Sequence, residues 1–207
     1  MAKGEETRQA ILSRAFELSK VVGVTGLSIG RLAEETGLSK SGLFAHFGSK
    51  EALEVAVIGE AARQFIDFVM MPALRQPRGE PRVRALFERW VAWAQKPGGC
   101  FWVTGIAELD DRPGPQRDVM VQTCKDWIDA LATAARIAVD EHHFRADLDP
   151  HEFAFDLYGL MTGAHTFQRF LDDPDWLART RRAFERLVAS SRASSRASGR
   201  PLRASHR

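Results

Sequence analysis

The 207 residues are 44% hydrophobic with a formal charge of +2, enough apolar content for a sizeable core and too little net charge for a uniformly basic nucleic-acid coat. No run approaches the roughly 18 apolar residues of a membrane span, and the charged start MAKGEETRQ lacks an apolar signal segment. Two cysteines, Cys100 and Cys124, make no disulfide framework, so a cytoplasmic protein with reduced thiols and no membrane partner is expected.

Thr7 opens the first expected helix. Ile11, Leu12, Ala15, Phe16, Leu18, Ser19 and Val22 fall at helical spacing and form its buried stripe. Gly23 ends it. Residues 28 to 50, SIGRLAEETGLSKSGLFAHFGSK, then read as two short helices joined by a tight turn. Ser28 is placed to N-cap the first, with Ile29, Leu32 and Ala33 on its inner face. Gly37 supplies the positive φ that stops it, and Leu38 plugs the turn. Ser39 caps the second, Lys40 to Ala45, anchored by Leu43 and Phe47. Its other face carries Lys40, Ser41, Phe44 and His46, the small polar and basic surface that a DNA major groove accepts.

Ser49 is a good N-cap for a long helix from Lys50 to about Met70, which Pro72 should end. A loop is expected from Pro72 to Pro81, then a helix from Arg82 to Gln95 bearing Val83, Leu86, Phe87, Trp90, Val91 and Trp93. Lys96-Pro97-Gly98-Gly99 breaks it. A short helix, Cys100 to Leu109, follows, and DDRPGPQ makes a loop. Arg117 to His142 is a long helix. Asp149-Pro150 caps another, Pro150 to Leu171, that is apolar on two faces and therefore buried on two sides. One face is Phe153, Leu157, Leu160, Ala164, Phe167 and Leu171. The second is Phe155, Gly159, Thr162, Thr166 and Phe170, and Gly159 and Gly163 allow close helix approach. A last helix runs to about Ala189. The end, SSRASSRASGRPLRASHR, is low in apolar residues and reads as disordered.

From Thr7 to Leu53 the chain resembles the helix-turn-helix of the TetR family of bacterial repressors. The parts that carry the resemblance are Leu27-Ser28, Leu32-Ala33, Thr36-Gly37-Leu38-Ser39, and Leu43-Phe44-x-His46-Phe47-x-Ser49-Lys50-Glu51-x-Leu53. The resemblance implies a double-stranded DNA operator as partner. Lys40 and Ser41 match base-reading positions; Ser28 and Lys50 match phosphate-contacting ones, and Arg31, Ser39 and His46 lie within reach of the backbone. Phe44 departs from the tyrosine common there, so core packing and contact with a thymine methyl both stay open for it. Phe47 reads as core.

The resemblance also implies an effector pocket among the middle helices, for a small apolar or aromatic molecule. Trp90, Phe101, Trp102, Met120, Cys124, Trp127 and Tyr158 are its candidates, with core packing the competing reading for each, and Glu108 and His165 are candidate polar handles. Periodicity and resemblance together put Phe153, Leu157, Leu160, Ala164, Phe167 and Leu171 at a homodimer interface. No cofactor or metal is expected: His142-His143 point different ways on a helix, and no nucleotide loop or nucleophile elbow is present. The expectation is an all-α protein, with residues 1–50 a DNA-binding domain, 51–190 an effector-binding and dimerisation domain, and 191–207 a tail. The competing classes are a thiol or acid-base enzyme fused to a DNA-binding head, and a DNA-binding factor without a small ligand.

Overall fold

The computed structural model describes residues 2–193, and side chains from Gly4 onward. Among these residues the fold is all-α, with one isolated bridge between Phe144 and Arg192. Helix α1 spans Ala2–Val22, α2 Ile29–Thr36 and α3 Lys40–Phe47. The start of α1 lies before Thr7, with Glu5 in its first turn favouring the helix dipole. Ser28 Oγ accepts from the Arg31 amide at the head of α2, and Gly37, at φ 67°, closes its end in the left-handed region. Ser39 Oγ accepts from Gly42 N–H at 3.0 Å and starts α3. Leu32, Ala33 and Leu43 are buried in the same core as Ile11, Leu12 and Ala15 of α1, so the short polar α3 is anchored from its inner side.

Helix α4, Lys50–Phe65, begins on the Ser49 cap. It does not stop at Pro72 as the sequence suggests. A π turn over Ile66–Met70 intervenes, with Met71 N–H bonded to Ile66 C=O, and α5, Met71–Leu74, continues beyond it. The wider turn shifts the ladder so that the missing Pro72 amide falls in a fresh first turn, where no partner is required. The expected loop from Pro72 is thereby shortened to residues 75–79.

Helices α6 (Glu80–Ala94), α7 (Phe101–Leu109), α8 (Pro115–Asp140), α9 (Pro150–Arg169) and α10 (Trp176–Ser191) complete the body. Asp149 Oδ1 caps α9 by accepting from His151 and Glu152 amides. Phe65 centres the aromatic core, edge-on to Trp127 at 4.9 Å, Trp93 at 5.5 Å and Trp102 at 6.3 Å. Phe16 of α1 reaches into the same core, 5.4 Å from Phe101 and 6.3 Å from Trp93, so head and body share one apolar interior. Phe184 stacks flat on Phe87 at 3.8 Å and fixes α10 to α6.

The expected disordered segment begins too early at residue 191. Ser191 is buried, its carbonyl accepts from Arg145 N–H, Arg192 pairs with Glu80, and Ala193 N–H bonds to His143 C=O. These bonds satisfy the end of α10 on the α8–α9 turn. Residues 194–207 lie outside the described residues.

Candidate DNA-binding face and effector cavity

The outward side of the head carries Ser28, Arg31, Ser39, Lys40, Ser41 and Phe44, all exposed, with His46 half-buried. Two of them are committed to the fold itself: Ser28 and Ser39 cap helices. Ser41 Oγ lies 3.0 Å from Ser39 Oγ, at the start of α3. Arg31 Nε donates to Glu35 Oε1 at 3.2 Å, and Glu35 also pairs with Arg14. Lys40 is different. Its aliphatic stem lies over Gly30, where an added Cβ would stand 3.4 Å from Lys40 Cε, and its ammonium is left at the surface. Phe44 is 44% exposed on the outer side of α3, whereas Phe47 is half-buried beneath the Arg8 guanidinium, 5.1 Å from its ring centre.

Lys50 sits otherwise than the sequence suggests. Its ammonium donates to Thr25 C=O at 2.8 Å and lies 3.4 Å from the buried Glu54 carboxylate. It ties α4 to the α1–α2 loop, and its charge is neutralised locally.

A cavity of about 250 Å³ opens in the body, lined by Ala62, Phe65, Ile66, Met70, Met71, Leu74, Trp102, Thr123, Cys124, Asp126, Trp127 and Tyr158. Trp102, Cys124, Trp127 and Tyr158 are where the sequence places them. Met120 is on a neighbouring cavity of similar size with Ile106, Leu109 and Ile128, and Cys124 lines both. Trp90 and Phe101 do not line this cavity. Trp90 is buried beside Phe87, and Phe101 packs on Phe16 and Trp102, because their helix faces point to the head and to α10. The wall that sequence reasoning missed is the π turn and α5. Its signal was the apolar run from Ile66 to Leu74, interrupted only by Asp67 and Pro72 and therefore not one-sided.

Asp126 is the one charged side chain on that lining. It accepts from Gln122 Nε2 at 2.8 Å. Burial pushes the Cys124 thiol up to about 11 and the Tyr158 phenol upward as well. Burial raises Cys100 too, so neither thiol is held as a thiolate.

Glu108 and His165 are not pocket handles. Glu108 accepts from Val24 N–H at 2.8 Å, Thr25 N–H at 2.7 Å and the Thr25 hydroxyl, on the α1–α2 loop. His165 is buried with Nδ1 accepting from the Cys100 amide at 3.4 Å, and burial followed by Arg169 lowers its pKa. His143 Nδ1 accepts from Glu80 N–H at 3.1 Å, a turn contact.

The interface stripe also needs correction. Phe153, Leu157 and Ala164 are buried inside their own protomer, because α9 turns that face onto the body. Leu160 is half-buried, and Phe167 and Leu171 are exposed. The free face of α9 is the other one: Phe155 at 77% exposure, Gly159, Gly163, Thr166 and Phe170 at 83%. A Cβ at either glycine would meet nothing within 4 Å.

Two family models match the chain. Residues 11–57 match "Bacterial regulatory proteins, tetR family", and residues 79–184 match "Tetracyclin repressor-like, C-terminal domain". The HTH-type transcriptional regulator RutR of Escherichia coli K12 is 38% identical over 65 residues, 31% of this chain and 29% of RutR, so the likeness spans under a third of that relative. Among solved structures, a TetR transcriptional regulator from Chloroflexus aurantiacus superposes with a TM-score of 0.81 at 25% identity, over 91% of this chain and 96% of that one. AibR, solved with isovaleryl coenzyme A and operator DNA, gives 0.64 at 22% identity, over 77% and 86%.

Proposed function

The chain belongs to the TetR family of bacterial regulatory proteins, and from that membership we propose that it is a cytoplasmic transcriptional repressor, released from a pseudo-palindromic operator by a small apolar or aromatic effector. The observation that carries this reading is the aromatic cavity. About 250 Å³ lined by Phe65, Trp102, Trp127 and Tyr158 suits one ring-sized molecule, at the small end of ligand sites. Without Lys, Arg or His on the lining, a multiply anionic ligand finds no counter-charge there. AibR is a fold relative seen with both a small ligand and operator DNA, which supports placing both partners on this architecture.

A second copy completes the reading. The face of Phe155, Gly159, Gly163 and Phe170, with α10 beside it, suits a two-fold four-helix contact. Two-fold symmetry sets two α3 helices about 34–36 Å apart, one DNA turn. Lys40 then meets guanine O6 and N7, Ser41 an adjacent base edge, and Phe44 a thymine methyl. The α2 amides behind Ser28 meet phosphate. An effector that favours the dimer with mismatched heads lowers operator affinity by its own differential binding energy. The enzyme reading loses support from the two thiols, both raised by burial.

Fluorescence anisotropy with DNA from upstream of this protein's own gene tests the proposal, repeated with a panel of uncharged aromatics. The expected result is sequence-selective binding that one compound reverses. Compounds that quench Trp102 and Trp127 fluorescence yet leave selective DNA binding intact would leave a DNA-binding factor and remove the effector.

A further inference from the structure

We propose that Glu108 is the positioning residue through which the cavity controls the DNA-binding head, and that filling the cavity releases its carboxylate from the α1–α2 loop. The inference rests on the effector reading above. Three hydrogen bonds from Val24 and Thr25 converge on this one carboxylate across the head–body joint. Arg112, just past α7, adds a bond to Thr25 Oγ1 at 3.3 Å. Lys50 of α4 holds the carbonyl of the same Thr25. Thr25 is therefore the point where the body grips the loop that sets α1 against α2.

Glu108 stands on α7, a nine-residue helix with a cavity at each stage of its length. Trp102, less than two turns before Glu108, walls the main cavity. Ile106 and Leu109, on either side of Glu108, line the neighbouring one. Gly105, just before them, lets α7 pack closely on the Met120 side chain of α8: an added Cβ would fall 2.6 Å from its methyl carbon. Upstream of α7 lie Gly98 and Gly99, both at positive φ (90° and 74°), and downstream lies the loop 110–114. A short stiff rod between two joints moves as a body. Bonds of 2.7 and 2.8 Å lengthened by about 1 Å leave hydrogen-bond range. A small shift at Trp102 is thus converted into an all-or-none loss at Thr25.

The test needs neither operator nor physiological effector. Cys124 is the half-buried thiol on the cavity wall, whereas Cys100 is fully buried. N-phenylmaleimide adds across its C=C to Cys124 Sγ, leaving a succinimide that carries a phenyl ring at the cavity wall; mass spectrometry verifies the single adduct, and Cys124→Ala is the unlabelled control. Hydrogen–deuterium exchange is then followed at the Val24 and Thr25 amides. The expected result is exchange faster by about tenfold or more in labelled wild type, with α9 and α10 amides unchanged. In Glu108→Gln, these amides exchange fast at the outset and the adduct adds less than about twofold. A purely structural joint would give additive effects instead. Unchanged or slower exchange at Val24 and Thr25 overturns the proposal, and so does a rise shared equally by α10, which reports general unfolding. A compound that releases DNA while these amides stay protected removes Glu108 from the mechanism and leaves the repressor reading intact.

Discussion

Replacing Phe155 by glutamate separates the two faces of α9. Phe155 is 77% exposed in the protomer, so the change costs the isolated fold almost nothing. A phenyl side chain offers roughly 200 Å² of burial, of which about 150 Å² is still in water here; at ~25 cal/mol per Å² that is about 4 kcal/mol per ring, an upper bound. Two-fold symmetry loses the ring twice, and the retained glutamate stem and incomplete burial take back about half. The net loss is about 3–4 kcal/mol, or a dimer dissociation constant raised by a factor of roughly 100–1000. Sedimentation equilibrium at micromolar concentration, paired with a thermal melt, measures both quantities. The expected outcome is a folded monomer with an unchanged melt. Leu157→Ala, on the opposite side and fully buried, should do the reverse: it costs about 2–5 kcal/mol of folding stability with association altered only through that loss. A Phe155→Glu protein that stays dimeric at wild-type concentrations would refute the assignment of this face.

Lys40→Ala is expected to weaken operator binding by about 1–3 kcal/mol and relax specificity at one position, measured by anisotropy against single-base variants. Lys50→Ala should leave the salt dependence of DNA binding unchanged and lower the melting temperature, because its ammonium is held by Thr25 C=O and the Glu54 carboxylate. With the Cys124 thiol near 11, alkylation should accelerate about tenfold per pH unit from 7 to 10, and stopped-flow labelling that plateaus below pH 9 would contradict its burial. Glu80 is held at about 2 by its hydrogen bond to Arg192, with a further bond from Arg84, against the opposing effect of burial. A folded-state pKa below the unfolded value of 4.5 stabilises above pH 4.5 and loses that stabilisation as pH falls toward 2. Glu80→Gln should therefore unfold more easily than wild type at pH 7, with the gap closing between pH 4.5 and 2; a gap that widens there would refute the assignment.

What the sequence revealed was what local rules determine. Ser28, Gly37, Ser39 and Ser49 are caps whose bonds close within three or four residues, so the helix-turn-helix was legible in order and nearly in length. Trp102, Trp127 and Tyr158 were legible as candidates for the cavity lining, but the same aromatic count also chose Trp90 and Phe101, which pack into the core. Three things were not legible. Phe155 and Phe170 give α9 a second apolar face beside the Phe153–Leu171 stripe, and periodicity does not say which of the two its own protomer covers. Glu108 bonds to residues more than eighty positions away, a pairing that no local pattern encodes. The π turn defeated the proline rule, because the rule assumes an α ladder up to the proline, and here the ladder has already shifted.

That shift has a bearing on how such a site diversifies. Five residues of π helix carry one more residue than the α turn they interrupt, and every side chain beyond them is rotated relative to an uninterrupted helix by about 100°. Met71 and Leu74, directly beyond the π turn, both line the cavity. The shape of this wall is thus set partly by a residue count, in addition to residue identity. Substitutions at Ile66 or Met70 adjust it by methyl groups. Loss of one residue between 66 and 70 would instead swing Met71 and Leu74 off the cavity and bring Pro72 against an intact ladder.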